Sequence, residues 1–557
     1  MNQLSYSSGT SSIPLIGMTI GDKFDETVRK YPSRDALIVH HQNVTWTYQE
    51  LKLRVDTCAK ALIACGLQKG DRVGIWAPNC AEWTVLQIAT AKVGVILVNI
   101  NPSYRLHELK YALSQSGCTM VVLANQFKTS DYAQMILELA PELVDSAFGQ
   151  LHSPVLPELK YAVVISDSPR EGLCPWTAFI KKGEEIETDT LVERQASLAF
   201  DEAINIQYTS GTTGYPKGAT LSHHNILNNG YFVARTMNFS EQDRLIIPVP
   251  LYHCFGMVMG NIGCITHGAA MIYPSEGFEP ALVLQAIEKE RATALYGVPT
   301  MFIAQLEHPE FQEFDLTSLR TGIMAGSPCP IEVMKKVQTL MHMSEVQIAY
   351  GMTETSPVST QTKIGTPLEK QVSTVGQVLP HIEVKIIDSD TGLVQPIGST
   401  GELCTRGYSI MLGYWDDQEK TAEAIDAARW MHTGDLAVMD EEGYINIVGR
   451  IKDMIIRGGE NIYPREIEEF LYSHPKISDV QVIGVPSEKY GEEVMAWVKP
   501  REGTTLTEDE IQSFCKDKIT HFKIPKYYKF TDDFPMTVTG KIRKVEMRKR
   551  SVEELGL

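Results

Sequence analysis

At 557 residues the chain exceeds the size at which one hydrophobic core keeps growing, so two or more domains are expected. Hydrophobic residues make up 43% and charged residues 22%, the balance of a globular protein with a large core and not of a disordered chain. A net charge of −18 argues against nonspecific nucleic-acid binding, and no apolar run is long enough for a transmembrane segment. The first twenty residues lack a basic n-region and an apolar h-region, and the first twelve contain neither Arg nor Lys, so no signal peptide or mitochondrial presequence is expected. The ten cysteines are scattered singly with no C-x-x-C pair, which points to reduced thiols in a cytoplasm and not to a zinc site or a disulfide framework.

The chain opens with alternating strands and helices. Thr47-Tyr48-Gln49-Glu50 has capping-box spacing, Leu51, Val55, Cys58 and Leu62 recur at helical intervals, and Gly66 is the expected stop. Arg72–Ala77 reads as a strand, Glu82–Val93 as a helix and Val95–Ile100 as a strand. Leu106–Ser116 and Thr119–Leu123 repeat the helix-strand cycle. This layering predicts an α/β fold with mostly parallel sheet. Residues 140–200 are less regular and read as a connector within the large domain; a further α/β region runs from about 202 to 380.

TSGTTGYPKG, residues 209–218, follows the apolar strand candidate Ala203–Tyr208. Gly211, Gly214 and Gly218 open backbone conformations closed to other residues and let N–H groups approach an anion. Thr209, Ser210, Thr212 and Thr213 supply hydroxyls and Lys217 a positive charge, a set suited to a polyphosphate. The spacing is not that of a Walker loop, and no G-x-G-x-x-G follows a strand. A plain surface turn rarely concentrates so many of these residues.

This segment resembles the signature loop of the adenylate-forming superfamily, which includes acyl-CoA synthetases, coumarate-type ligases, luciferases and peptide-synthetase adenylation domains. Further motifs match in the same order over nearly the whole chain, most similarly to the medium-chain acyl-CoA ligase branch. The resemblance implies ATP and Mg²⁺, with coenzyme A as co-substrate. It also implies small-molecule partners, and it is compatible with a homodimer.

The resemblance assigns the remaining residues in chain order. PLYHCFGM, residues 250–257, would lie on the substrate side, with His253 near the reacting carboxylate, although a lone His is more often structural. Gly256, Gly260 and Gly263 fall on one face if the segment is an α-helix, forming either a groove wall for an alkyl chain or a close helix contact. Phe255, Met257, Val298, Met324 and Ala325 would complete an apolar lining. AGSPCP, residues 325–330, would border adenine through Gly326, Ser327 and Pro328, and equally reads as the loop opening a helix at Ile331–Leu340. In YGMTETSP, residues 350–357, Tyr350 would stack on adenine beside Gly351, Thr353 would hold the α-phosphate and Glu354 would ligate Mg²⁺.

A β-rich stretch follows, with Glu383–Ile387, Gly401–Thr405 and Tyr444–Val448 as strand candidates. HTGD, residues 432–435, and GRIKD, residues 449–453, resemble a ribose clamp, with Asp435 the acceptor and Arg450 a donor. Lys452 matches the family's hinge, so the expected division is an adenylation and acyl-binding domain over 1–450 and a mobile α+β lid over 451–557. The lid's expected elements are a helix through Ile467, Phe470 and Leu471 that starts near Pro464, strands at Asp479–Val485 and Val494–Lys499, and a helix at Glu508–Ile519.

Arg457, Gly458 and Gly459 would contact CoA, with the Lys523–Lys526 neighbourhood a weaker candidate. Lys541, in PMTVTGKIRK, occupies the position of the catalytic lysine; a merely basic tail is the bland reading of that run. The expected activity is formation of a fatty acyl-CoA, of medium chain length, through an acyl-adenylate. An aryl-CoA ligase, a loader of a carrier protein and a catalytically silent nucleotide-binding protein are the alternatives.

Overall fold

The computed structural model describes residues 3–166, 170–209, 216–327, 329–458, 460–516, 518–536 and 542–557. The chain forms two compact units. One comprises Ser8–Glu383 with Thr405–Met431, and the other Met1–Ser7, Val384–Cys404 and His432–Leu557.

In the larger unit Thr47 caps the helix Tyr48–Ala64: its hydroxyl accepts the Glu50 N–H, and the Glu50 carboxylate accepts the Thr47 N–H at 2.8 Å. Leu51, Val55, Cys58 and Leu62 of that helix are buried, as their spacing predicts. Leu106–Ser116 is a helix that stops at Gly117, whose φ of 61° is left-handed backbone.

An eight-stranded sheet runs in the order Cys174–Pro175, Tyr161–Ile165, Met120–Ala124, Arg72–Trp76, Ile96–Asn99, Ala203–Thr209, Lys217–Ser222 and Gly413–Tyr414. Its first six strands are parallel, and the last two pairings are antiparallel. The expected connector over 140–200 therefore needs correction, because Tyr161–Ile165 is an internal strand of this sheet. Its run Tyr-Ala-Val-Val-Ile lacks alternation because both faces are covered, a pattern that periodicity cannot separate from other apolar segments.

A nine-stranded sheet runs Gln377–Val378, Val358–Gln361, Glu345–Gly351, Thr321–Ala325, Ala294–Gly297, Arg244–Ile246, Ala270–Tyr273, Asp35–Val39 and Val44–Thr47. Arg244–Ile246 lies between the next two strands of the sequence, both parallel to it, so the chain leaves it on one side and returns on the other. Such a reversal opens a crevice at the carboxyl ends of the strands, the usual ligand position in open α/β sheets. The segments leaving those ends carry His253, Val298, Gly326, Ser327 and Thr353, and Tyr350 is the next-to-last residue of its strand.

His223 begins the helix His223–Thr236 and accepts the Ile20 N–H on Nδ1 at 3.2 Å. Burial holds its imidazole neutral, with the pKa lowered to about 4. The unfolded chain takes up this proton near pH 6.5 and the native one only near 4, so stability falls as pH drops through that window. The expected loss is about 2 kcal/mol, read by urea denaturation at pH 7 and pH 4.5 and smaller in His223→Asn.

The smaller unit contains most of a five-stranded sheet ordered Tyr6–Ser8, Ile382–Ile387, Gly401–Gly407, Met431–Met439 and Ile445–Arg450. A second sheet in it runs Glu460–Ile462, Ile455–Arg457, Gly491–Pro500 and Ile477–Ser487, with Tyr527–Phe530 parallel to Gly491–Pro500. The helix Pro464–Tyr472 buries Ile467 and Leu471 in the core of this sheet. Glu508–Cys515 is a helix one turn shorter than the spacing predicts. Among the described residues no helix is long and apolar enough to cross a membrane.

Candidate active site

Thr209 and Lys217 are paired across the antiparallel strands Ala203–Thr209 and Lys217–Ser222, so the ends of the predicted phosphate segment are held side by side. Ser210, Gly211, Thr212, Thr213 and Gly214 lie outside the described residues. At this junction Thr209 Oγ1 donates to Glu354 Oε1 at 3.1 Å. The Tyr414 hydroxyl donates to the same oxygen at 2.9 Å and accepts from Lys217 Nζ at 2.9 Å. Lys217 also stands 4.1 Å from the Tyr414 ring centroid, within cation–π range. Burial and the neighbouring Glu354 carboxylate push the Tyr414 hydroxyl well above its ordinary pKa, so it stays a donor.

Glu354 sits in the buried 3-10 turn Thr353–Thr355, just after the strand Glu345–Gly351. Its carbonyl accepts the Met411 N–H at 2.9 Å, which ties the turn to the 405–431 segment. Gly351 is required by a close approach: a Cβ there would lie 1.7 Å from the Pro357 carbonyl oxygen. Tyr350 ends the strand half-buried, and Gly326 and Ser327 are exposed at the end of Thr321–Ala325. Pro328 lies outside the described residues.

His253 is brought to the same region. Its Nδ1 accepts the Phe255 N–H at 3.2 Å, which places the ring proton on Nε2. Cys254 Sγ lies 3.5 Å from that nitrogen and 3.9 Å from Thr353 Oγ1. His253, Cys254 and Thr353 thus form one continuous edge leading to Glu354.

The expected glycine face is corrected by the structure. Phe255–Ile262 is a π-helix, continued by the α-helix Gly263–His267, so Gly256 and Gly260 still face one segment, residues 247–251, while Gly263 is turned toward the helix His223–Thr236. A Cβ on Gly256 would meet Pro250 O at 2.5 Å, one on Gly260 would meet Ile247 Cδ1 at 2.9 Å, and one on Gly263 would meet Ala234 Cβ at 3.4 Å. All three glycines serve close packing. Met257 is buried, and its sulfur accepts from Asn99 Nδ2 at 3.1 Å and Gln207 Nε2 at 3.3 Å. Phe255 packs on Tyr296 with centroids 5.2 Å apart, Met324 is enclosed in the hydrophobic core, Ala325 is buried and Val298 half-buried.

In the smaller unit Asp435 and Arg450 are register partners, and Arg450 Nε reaches Asp435 Oδ1 at 2.9 Å. Lys452 lies in the 3-10 turn Ile451–Asp453. Arg457 is held by Glu493 through Nε at 2.7 Å and Nη2 at 3.1 Å, and stands 4.2 Å from the Tyr490 ring centroid. Its charge is therefore balanced inside the protein, and the Glu493 bonds raise its pKa further. Lys523 pairs with Glu466 at 2.6 Å and Lys526 with Glu493 at 3.9 Å, so these cations are also engaged. Gly458 has a φ of 60°. Gly459 and Lys541 lie outside the described residues.

The family model described as AMP-binding enzyme matches residues 24–415, and that described as AMP-binding enzyme C-terminal domain matches 466–541. The chain belongs to the AMP-binding enzyme family.

Among its relatives, the putative acyl-CoA synthetase YngI of Bacillus subtilis is 48% identical over 98% of this chain and 99% of its own. The mitochondrial medium-chain acyl-CoA ligase ACSF2 of Danio rerio is 46% identical over 99% of this chain and 91% of its own. In the solved structures, ATP-bound MatB from Rhodopseudomonas palustris superposes with a TM-score of 0.80 at 28% identity, covering 97% of this chain and 100% of that one.

Sequence reasoning missed several members of this AMP-binding enzyme's polar framework. Tyr414 is 197 residues from Lys217 and 60 from Glu354, and only folding joins them. Glu493, which holds Arg457, carries no local motif. Glu402 and His432 pair at 3.0 Å, with Cys404 Sγ 3.7 Å from the same ring nitrogen.

For Mg²⁺, the donor set at Glu354 consists of a buried carboxylate flanked by the hydroxyls of Thr209 and Tyr414. These are hard oxygen donors, and the set fits the ion.

Proposed function

We propose that the protein is an AMP-forming acyl-CoA synthetase acting on a fatty acid of medium chain length. The observation that carries this reading is the cluster in which Thr209 and Lys217, at the two ends of the glycine-rich segment, are tied through Tyr414 to Glu354. Full-length similarity to a medium-chain acyl-CoA ligase supports the substrate class.

In the first half-reaction a carboxylate oxygen of the acid attacks the α-phosphorus of ATP. The bond to the bridging oxygen breaks, and pyrophosphate leaves with the electron pair. The acid is already ionised at neutral pH, so no general base is needed. His253, committed through Nδ1 to a backbone N–H, orients the acid and does not deprotonate it.

Both reacting partners are anionic, so positive charge decides the rate. Lys217 supplies it beside the phosphates and Lys541 at the reacting phosphorus, with Thr353 donating to the α-phosphate. Glu354 would hold Mg²⁺, which supplies further charge neutralisation of the phosphates. Tyr350, Gly326, Ser327 and Pro328 border the adenine; Asp435 and Arg450 take the ribose.

In the second half-reaction the CoA sulfur, its proton lost to solvent, attacks the acyl carbon, and AMP leaves. Rotation about Lys452 of a lid comprising 451–557 withdraws Lys541 between the two steps, and Gly458 and Gly459 leave backbone room for the pantetheine arm. We place the enzyme in the cytoplasm, in keeping with ten free cysteines. Self-association as a homodimer belongs to the same proposal and is read by sedimentation.

Pyrophosphate release and acyl-CoA formation, measured with acids from acetate to palmitate and with benzoate, test the reading. Each buried methylene contributes about 0.8 kcal/mol, so kcat/KM should climb steeply with chain length until the pocket ends, peaking between hexanoate and laurate. Turnover of benzoate alone would move the substrate to aryl acids; no product with any acid would remove the enzyme class.

A further inference from the structure

We propose that Glu402 is a positioning residue for nucleotide binding, strapping the turn that presents Asp435. The inference rests on reading Asp435 as the ribose acceptor.

Glu402 and Cys404 stand two residues apart on the strand Gly401–Gly407, hence on one face, beside the strand Met431–Met439. The buried Glu402 carboxylate uses both oxygens on the neighbouring strand. Oε2 meets His432 Nδ1 at 3.0 Å, and Oε1 accepts the Gly434 N–H at 3.1 Å. Between them Thr433 Oγ1 donates to Leu403 O at 2.7 Å and accepts the Asp435 N–H at 3.1 Å.

The clamped backbone is unusual for a strand. Gly434 has a φ of 70°, and nothing lies within 4 Å of where a Cβ would be, so the glycine answers to backbone conformation and not to crowding. A left-handed glycine inside an extended strand has many other conformations open to it. The strap removes that freedom one residue before Asp435, whose side chain is buried and paired with Arg450.

The ring is suited to its part. Hydrogen bonding to Cys404 and to Glu402 raises the His432 pKa above its ordinary value, which favours a ring that donates to the carboxylate. Burial raises the Cys404 thiol, which leaves Glu402 as the ring's anionic partner. A ring protonated on both nitrogens donates to the carboxylate and offers no lone pair to a metal ion.

Because ribose contacts act in ground state and transition state alike, loosening Asp435 should appear in KM and not in kcat. The experiment is steady-state kinetics on full-length Glu402→Ala, Glu402→Gln, Asp435→Asn and the Glu402→Ala/Asp435→Asn double variant, varying ATP, acid and CoA in turn. Glu402→Ala should raise KM for ATP about tenfold with kcat within about twofold. KM for acid and for CoA should stay unchanged, and the double variant should be no worse than Asp435→Asn alone. Glu402→Gln, which keeps one oxygen for the Gly434 N–H, should recover part of the loss. Where Glu402→Ala does not fold, His432→Gln carries the same cycle.

A rise in all three KM values, additive losses in the double variant, or a lowered Tm with no change in KM for ATP would each overturn the strap. Stoichiometric zinc retained by the purified protein on Glu402, Cys404 and His432 would overturn it too. If Asp435→Asn raises KM for ATP and Glu402→Ala does not, only the strap fails. If Asp435→Asn leaves KM for ATP unchanged, the ribose reading fails and takes the strap with it.

Discussion

Lys541→Ala is expected to lower acid-dependent pyrophosphate release by about 10²–10³-fold, while thioester formation from supplied acyl-adenylate and CoA changes by less than about threefold. The asymmetry follows from where charge develops. Attack on the α-phosphorus gathers negative charge on oxygens that a lysine can oppose; attack on the acyl carbon does not alter the phosphorus. Three cations that follow it in sequence are engaged elsewhere. Lys544 is held by Glu468 at 2.6 Å and by Val482 O at 3.0 Å, Arg548 by Gly484 O at 2.9 Å, and Arg550 pairs with Glu546.

The residues on either side of the lysine segment are drawn together, since Met536 and Ile542 form a β-bridge and the Arg543 N–H donates to Pro535 O at 2.8 Å. A basic tail without a catalytic member would instead lose both half-reactions equally, or neither. Lys452→Pro should show the reverse pattern, keeping adenylation and slowing thioester formation, because a fixed φ stiffens the hinge. Quenched-flow measurement of pyrophosphate and of acyl-CoA separates the two steps.

Glu354→Ala should cost about 10²–10³-fold in kcat/KM for ATP and weaken the dependence on Mg²⁺ concentration. Glu354 is 5% exposed, so removal of its carboxylate also leaves Thr209 and Tyr414 without their shared acceptor. Tyr414→Phe is the control. It retains the carboxylate and removes two charge-assisted hydrogen bonds, the one given to Glu354 and the one accepted from Lys217, so a loss of about tenfold or more with unchanged Mg²⁺ dependence is expected. Titrating MgCl₂ at fixed ATP for the three proteins distinguishes a metal ligand from a structural acid. A Glu354→Ala enzyme with the wild-type Mg²⁺ curve would remove the metal role.

Much of the fold was legible because its signals are local. The Thr47 capping box, the helix ending at Gly117 and the helix Ile331–Leu340 each depend on side chains within a turn of one another. The strand Tyr161–Ile165 was not legible, since a short run buried on both faces shows no period. The glycines at 256, 260 and 263 left a groove wall and a close contact both open; the structure gives the close contact, and the π-helix turns Gly263 away from the other two.

By itself the sequence determined the fold class and, through the family resemblance, the order of the candidate chemical parts: a hydroxyl- and glycine-rich segment at 209–218, Thr353 and Glu354, Asp435 with Arg450, and Lys541. Residue type and spacing speak for themselves only at 209–218; the roles expected of the others come from the family resemblance. Only the tertiary structure decided how the groups are held. Tyr414 joins Lys217 to Glu354, Glu402 grips the turn before Asp435, and Glu493 takes up the guanidinium of Arg457. These partners lie tens to hundreds of residues apart, and no local periodicity encodes a contact made when strands of different sequence position come side by side.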